Sequence, residues 1–167
     1  MSRVLVVMPT YNEIGNLHSM LERIFQSNPN VDVLVVDDNS PDGTGEAAVL
    51  KSANDQRLHV LQRHEKSGLG SAYRAGFAWG LERDYDAFVE MDADGSHQPE
   101  QLPALLEQIS NADLVLGSRW IRGGRVVNWP LSRKVLSVGG NLYTRLMLGI
   151  SVKDATGGYR VFTRDAI

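Results

Sequence analysis

Short apolar runs alternate with helix-spaced apolar positions along most of this chain. Val4-Leu5-Val6-Val7-Met8 is continuous, as expected of a strand covered on both faces. Ile14, Leu17, Leu21, Ile24 and Phe25 then recur at helical spacing. Val31 to Val36 reads as a second strand, followed by the turn Ser40-Pro41-Asp42-Gly43, in which Asp42 is a candidate helix cap. Leu58 to Leu61 gives a third strand, Ser71 to Leu81 a helix after Gly68-Leu69-Gly70, and Ala87 to Met91 a fourth strand. A helix starting near Pro99 carries Leu102, Leu105, Leu106 and Ile109, with Pro welcome in its first turn. Leu114-Val115-Leu116 is a fifth strand. Alternation at this pace predicts an α/β fold with a three-layer, doubly wound, mostly parallel sheet.

Beyond the fifth strand the pattern changes. Arg119 to Pro130 holds three arginines, Gly123-Gly124, Trp120 and Trp129, and reads as a loop. Leu131 to Leu148 is amphipathic, with Val135, Leu136, Val138, Leu142, Leu146 and Met147 apolar and Arg133, Lys134 and Arg145 basic. It is read either as a helix packed on the sheet or as a helix near a lipid surface. Asp154 to Phe162 suggests a further strand with a Gly157-Gly158 turn.

With 167 residues and 43% hydrophobic content, one domain over residues 1–167 is expected. The chain halts at Ile167 soon after a strand pattern with no closing element, so the expectation is a domain truncated at its C-terminus. A net charge of −3 argues against a nucleic-acid partner. No cysteine is present, so disulfides and thiolate metal sites are excluded. No signal pattern follows Arg3, and no run approaches the length of a membrane span. A cytoplasmic protein able to touch a membrane surface is expected.

The chemistry gathers at the ends of strands. Asp92 and Asp94 follow the apolar run Ala87-Phe88-Val89, where the chain turns and both carboxylates can enter the crevice that open α/β sheets use for ligands. Two hard oxygen ligands there can hold a divalent cation, which can neutralise a diphosphate. Asp84-Tyr85-Asp86 repeats the spacing but precedes the strand, and reads as a solvated turn. After the first strand comes Pro9-Thr10-Tyr11-Asn12-Glu13 in place of Gly-x-Gly-x-x-Gly, which argues against NAD or FAD. Tyr11 offers a face for a base and Glu13 an acceptor, or Glu13 merely favours a helix dipole. Asp37-Asp38 can accept from a ribose or guanine edge, or be a solvated turn.

Together these segments resemble the inverting family 2 glycosyltransferases of the Rossmann-like A-type fold, and within them the dolichyl- or polyprenyl-phosphate mannose synthases. The resemblance rests on Pro9 to Glu13, Val35 to Asp42, Gly68-Leu69-Gly70, Met91 to Asp94, Gly117-Ser118-Arg119, and the loop from Gly123-Gly124 to Asn128-Trp129-Pro130 with Arg133. It implies that Pro9, Tyr11, Glu13, Val36 and Asp38 hold the guanosine of a GDP-mannose donor. Asp92, Ala93 and Asp94 would meet its diphosphate and an Mg2+ or Mn2+ ion, with Ser96 at the further ligand position. Arg119 and Arg133 would face the phosphates of donor or acceptor, the acceptor being a polyprenyl (dolichyl-type) phosphate. Asp94 as metal anchor and Arg133 as acceptor clamp are the central assignments. His97, beside the metal site, is read as solvated or as supporting rather than ligating. Ala72-Tyr73-Arg74 stands where wider relatives often carry Ala-Arg-Asn, so that contact does not transfer. The resemblance also implies a peripheral location on the cytoplasmic face of a membrane, with room for a separate membrane-anchoring partner.

Two rivals remain at this point. One is a related transferase using a UDP-sugar, or another hexose on the same lipid phosphate. The other is a phosphorelay receiver module, suggested by Val33 to Asn39, which leaves residues 1 to 30 without a role.

Overall fold

A computed structural model describes residues 3–121 and 130–167, apart from the side chain of Arg133. The sheet is built from β1 (Val4–Thr10), β2 (Val31–Asp37), β3 (Leu58–Gln62), β4 (Ala87–Glu90), β5 (Leu114–Leu116) and β6 (Arg160–Thr163). Between them run α1 (Ile14–Ser27), α2 (Thr44–Ser52), α3 (Leu69–Leu81), α4 (Leu102–Gln108) and α5 (Leu131–Leu148). The strand order is β3-β2-β1-β4-β6-β5.

Successive residues of β1 point to opposite faces, and each face has its own core. Val4, Val6 and Met8 pack with Leu17, Leu21 and Ile24 of α1 and Leu102 of α4. Leu5 and Val7 pack with Leu34, Val36 and Phe88 beneath Ala72 and Tyr73 of α3. Covering on both faces explains why these strands read as unbroken apolar runs.

β1 pairs in parallel with β2 from Val4↔Val31 to Thr10↔Asp37, and with β4 from Val4↔Ala87 to Val7↔Glu90. The chain therefore winds outward through β2 and β3, then returns to the other side of β1. That reversal opens a crevice at the C-terminal ends of β1 and β4.

Three expectations are corrected. β6 runs antiparallel between β4 and β5, pairing Phe88↔Phe162 and Val115↔Val161. It begins at Arg160, because residues 154–159 are held in a loop by the buried Asp154 and by Gly157, where a Cβ would lie 3.0 Å from the Gly117 carbonyl oxygen. The helix expected from Pro99 starts as a single 3-10 turn, Pro99–Gln101, before α4. Asp84-Tyr85-Asp86 is only partly the solvated turn expected. Tyr85 is buried, donates to Asp32 Oδ2 at 2.7 Å, and lies under the Arg3 guanidinium.

α5 keeps its apolar residues in the open, with Leu131 and Leu136 each 77% and Leu146 74% exposed, rather than packing them on the sheet. Asn141, its buried polar residue, ties it to the loop after it by accepting the Ala155 N–H at 2.8 Å.

α3 lies unusually close to the sheet. A Cβ at Gly80 would sit 2.5 Å from Phe88 Cε1 and 2.7 Å from Leu5 Cδ2. Helix propensity alone favours alanine by about 1 kcal/mol, whereas overpacking a buried contact costs about 1–3 kcal/mol. Both neighbours are fully buried, so the clash should win. Gly80→Ala is expected to lower the melting temperature, and an unchanged or higher melting point contradicts this packing.

Candidate active site

The turn after β2 builds the loop after β1. Asp37 is buried and accepts from Thr10 Oγ1 at 2.9 Å, Ser40 Oγ at 2.6 Å and the Ser40 N–H at 3.0 Å. So fixed, the turn offers three acceptors to consecutive backbone amides: Ser40 Oγ to Asn12 at 3.1 Å, Thr44 Oγ1 to Glu13 at 3.0 Å, and Asp42 Oδ2 to Ile14 at 3.1 Å. Asp42 also accepts the Thr44 N–H and hydroxyl, but it is not the cap expected: the N-cap of α2 is Gly43, and Asp42 holds the first residue of the helix from one position earlier while helping to start α1. The Thr44 hydroxyl holds its carboxyl below the usual carboxylate range. Asn12 and Asn39 adopt φ of 61° and 57°, the left-handed region that asparagine tolerates. The result is a rigid rim from which Tyr11 and Glu13 border the cleft.

Asp37 and Asp38 are adjacent but do different work, because strand alternation turns them apart. Asp37 is structural. Asp38 borders the cleft with its side chain 6% exposed, its Oδ1 3.1 Å from Arg63 Nη1 and its Oδ2 accepting the Ser67 N–H at 3.3 Å. Oδ1 and Nη1 are buried without an aligned hydrogen-bond partner, so the acid retains accepting capacity. Neither residue is a solvated turn. Lys66 places its ammonium 3.8 Å from the centre of the Tyr11 ring, on a face expected to receive a base.

Asp92 and Asp94 follow β4. Asp92 Oδ1 accepts from Tyr73 Oη at 2.8 Å, and its backbone N–H donates to His97 Nδ1 at 2.9 Å. Burial drives the His97 imidazole below its ordinary range despite the nearby Asp92 and Asp94. Burial likewise raises the Tyr73 phenol, with Asp92 adding to the effect, so it stays a neutral donor. Asp94 is exposed and accepts the Ser96 N–H at 2.9 Å. Ser96 is itself exposed. Among the described residues no cluster of three or more His, Asp or Glu is grouped to hold a metal ion alone. Two carboxylates on one cleft suit a cation whose remaining ligands come from a diphosphate and water.

Seven of the residues singled out by sequence share one cleft of about 220 Å³: Pro9, Tyr11, Glu13, Asp38, Asp92, Ala93 and Asp94. Thr10, Gly68 and Leu69 of the quoted motifs and Ala72 of α3 also line it, and Lys66 joins them unannounced. A larger hollow of about 700 Å³, on the outer side of α3 near Arg74 and Ile167, has none of these carboxylates in its lining and is not taken as the site. Val36 does not join the cleft, since its side chain lies wholly in the core under α3, where a Cβ at Gly76 would lie 3.3 Å from its Cγ2.

Arg119 was expected to face phosphate. Its Nε and Nη2 donate to the buried Asp154 at 2.7 and 2.6 Å, and Nη2 also reaches Thr156 Oγ1 at 3.0 Å. Burial raises the Asp154 carboxyl, but hydrogen bonds from Arg119 outweigh it and leave the group below its ordinary range. The Arg133 side chain, Gly123-Gly124 and Asn128-Trp129 lie outside the described residues.

A doubly wound α/β sheet with an acidic pair at its crevice defines the class, and the comparisons name it. The chain matches the model of Glycosyl transferase family 2 over residues 5–167, and it belongs to that family. It has the A-type fold of these glycosyltransferases, with a TM-score of 0.64 at 21% identity to a mannosyltransferase from Pyrobaculum calidifontis solved with GDP-Man and Mn2+, covering 98% of this chain and 45% of that one. A glucosyl-3-phosphoglycerate synthase from Mycobacterium tuberculosis, solved with Mn2+ and UDP, gives 0.65 at 21%, covering 98% and 57%.

Among curated proteins, the undecaprenyl-phosphate mannosyltransferase of Micrococcus luteus is 59% identical over 165 residues, 99% of this chain and 68% of that one. The polyprenol monophosphomannose synthase of Mycolicibacterium smegmatis is 52% identical, covering 99% and 63%. The dolichol-phosphate mannosyltransferase of Pyrococcus furiosus is 39% identical, covering 99% and 47%. The chain thus spans about half to two thirds of the length of these relatives. Membership of the family removes the receiver reading.

Proposed function

We propose that the cleft binds GDP-mannose with Mg2+ or Mn2+, and that mannose passes with inversion to a polyprenyl (dolichyl-type) monophosphate. The product is a polyprenyl-phosphate β-mannose. One observation carries this reading: a single cleft joins an aromatic ring and buried acid suited to a nucleoside, Tyr11 and Asp38, to a carboxylate pair suited to a metal diphosphate, Asp92 and Asp94. The names of the three curated relatives support the sugar and the acceptor class. A neighbour of the same fold solved with GDP-Man and Mn2+ is in keeping with the donor and ion.

In this reading a lipid phosphate oxygen attacks the anomeric carbon from the face opposite the diphosphate. The new carbon–oxygen bond forms as the bond to GDP breaks, which inverts α to β. The acceptor is already an anion at neutral pH, so no general base is required. The cation supplies neutralisation of the departing diphosphate. Asp94 anchors it, Asp92 supports it, and Ser96 lies at the edge of the set. Pro9, Glu13, Val36 and Ala93 border the donor, Val36 through its backbone alone. Arg119 serves through Asp154, by fixing the Gly117–Trp120 segment. Arg133 is the clamp for the acceptor phosphate.

The exposed apolar residues of α5, with Lys134 and Arg145 on the same helix, suit a lipid surface. No helix among the described residues is long and apolar enough to cross a membrane. A peripheral location on the cytoplasmic face follows from the reading, and a separate membrane-anchoring partner is compatible with it.

Arg133→Lys keeps the charge and loses the planar fork. It is expected to lower transfer while leaving GDP affinity within a few-fold; an equal loss of nucleotide binding moves Arg133 to the donor side. The function itself is tested by supplying polyprenyl phosphate with labelled GDP-mannose or labelled UDP-glucose. Lipid-extractable label from GDP-mannose supports the reading. Label from UDP-glucose with none from GDP-mannose selects the UDP-sugar transferase instead.

A further inference from the structure

Of the two acids in the pair, Asp92 is the restrained one. Tyr73 of α3 donates its hydroxyl to Asp92 Oδ1 at 2.8 Å. On the other side, His97 Nδ1 accepts the Asp92 backbone N–H at 2.9 Å, which leaves the imidazole proton on Nε2, 3.8 Å from Asp92 Oδ2. The imidazole is in turn stacked on Tyr159, with ring centres 5.0 Å apart and planes 11° from parallel. Gly158 lies alongside both: a Cβ there would be in ordinary van der Waals contact, 3.4 Å from His97 Cε1 and 3.6 Å from Asp92 Oδ2. Asp94 is exposed, with the Ser96 N–H on its Oδ1.

A carboxylate that must meet a cation either is held in advance or loses rotamer freedom when it binds. Partners that fix the orientation of an acid near a metal therefore bear on metal affinity without touching the ion. We propose that Tyr73 and His97 are positioning residues that lock Asp92 in one orientation for the cation and diphosphate, leaving Asp94 as the adjustable ligand. This rests on the reading of the cleft as a nucleotide–metal site. It also gives Tyr73 and His97 a shared role: one grips the carboxylate from α3, the other grips the backbone from the loop after β4.

The test compares Tyr73→Phe with Tyr85→Phe. Tyr85 is also a buried tyrosine, donates to Asp32 at 2.7 Å, and lies before β4 at the other end of that strand, so its variant loses a tyrosine–carboxylate bond away from the cleft. GDP affinity is measured calorimetrically in Mn2+ and in EDTA. Tyr73→Phe is expected to lose about tenfold in Mn2+ and to match the native protein in EDTA, while Tyr85→Phe follows the native protein in both. Native metal dependence in Tyr73→Phe overturns the inference, as does an equal loss in Tyr85→Phe. Should Tyr73→Phe not fold, His97→Gln carries the test, with a loss in Mn2+ expected and an unchanged affinity overturning it. If the native protein binds GDP equally in Mn2+ and EDTA, the underlying metal reading fails, and the inference with it.

Discussion

Asp94→Asn is expected to lower mannose transfer by about a hundredfold or more, because the cation's stabilisation of the leaving diphosphate is worth several kcal/mol. A hundredfold corresponds to about 2.7 kcal/mol of transition-state stabilisation. The amide oxygen can still accept the Ser96 N–H that Asp94 Oδ1 accepts, so the loop should keep its shape. Asp94 is exposed, so no buried contact is lost. The substitution therefore removes a charge and a hard ligand while sparing the fold. GDP affinity in Mn2+ should drop to the value seen with chelator, and the melting temperature without ligand should not move. Full transfer by Asp94→Asn, measured beside the native protein, refutes Asp94 as the anchor.

The second large effect lies away from the carboxylate pair. Asp154 is fully buried and receives Arg119 through Nε, Nη2 and the backbone N–H. Breaking a buried pair by removing one partner costs about 3–5 kcal/mol. Arg119 retains some exposure, so the lower end applies: Asp154→Ala should cost about 3 kcal/mol, and about 6–12 °C in melting temperature for a chain of this size.

The pH dependence has a defined sign. Asp154 titrates below its ordinary range when folded, so its contribution is present above about pH 3.9, the unfolded value, and is lost as pH falls through the depressed folded value. The stability gap between native protein and Asp154→Ala should therefore narrow as the medium is acidified below about pH 4. A gap that stays constant across that range contradicts the assignment.

Much of this fold was legible because strands covered on both faces announce themselves as unbroken apolar runs. α5 falls at Leu131–Leu148, the bounds of its amphipathic pattern. What apolar pattern does not carry is direction: Arg160 to Thr163 reads as a strand either way, and its antiparallel course depends on its partners in β4 and β5. The site was legible in the same uneven way. Tyr11, Glu13, Asp38, Asp92 and Asp94 follow strand ends that the topology gathers at one crevice. Asp37 was paired with Asp38 because adjacent acids look alike, yet both are buried and alternation turns Asp37 behind the turn and Asp38 to the cleft. The Arg119–Asp154 pair was not legible, because its members lie 35 positions apart, beyond what spacing can connect. Tyr73 and Arg63 escaped for the same reason, each meeting its carboxylate only after folding.

The central claim is that the cleft is a metal-coupled guanosine diphosphate site. It is tested most directly by titrating GDP calorimetrically into the native chain in Mn2+ and again in EDTA. The account predicts that affinity falls at least about tenfold on chelation, about 1.4 kcal/mol. Equal affinity in the two conditions would contradict it.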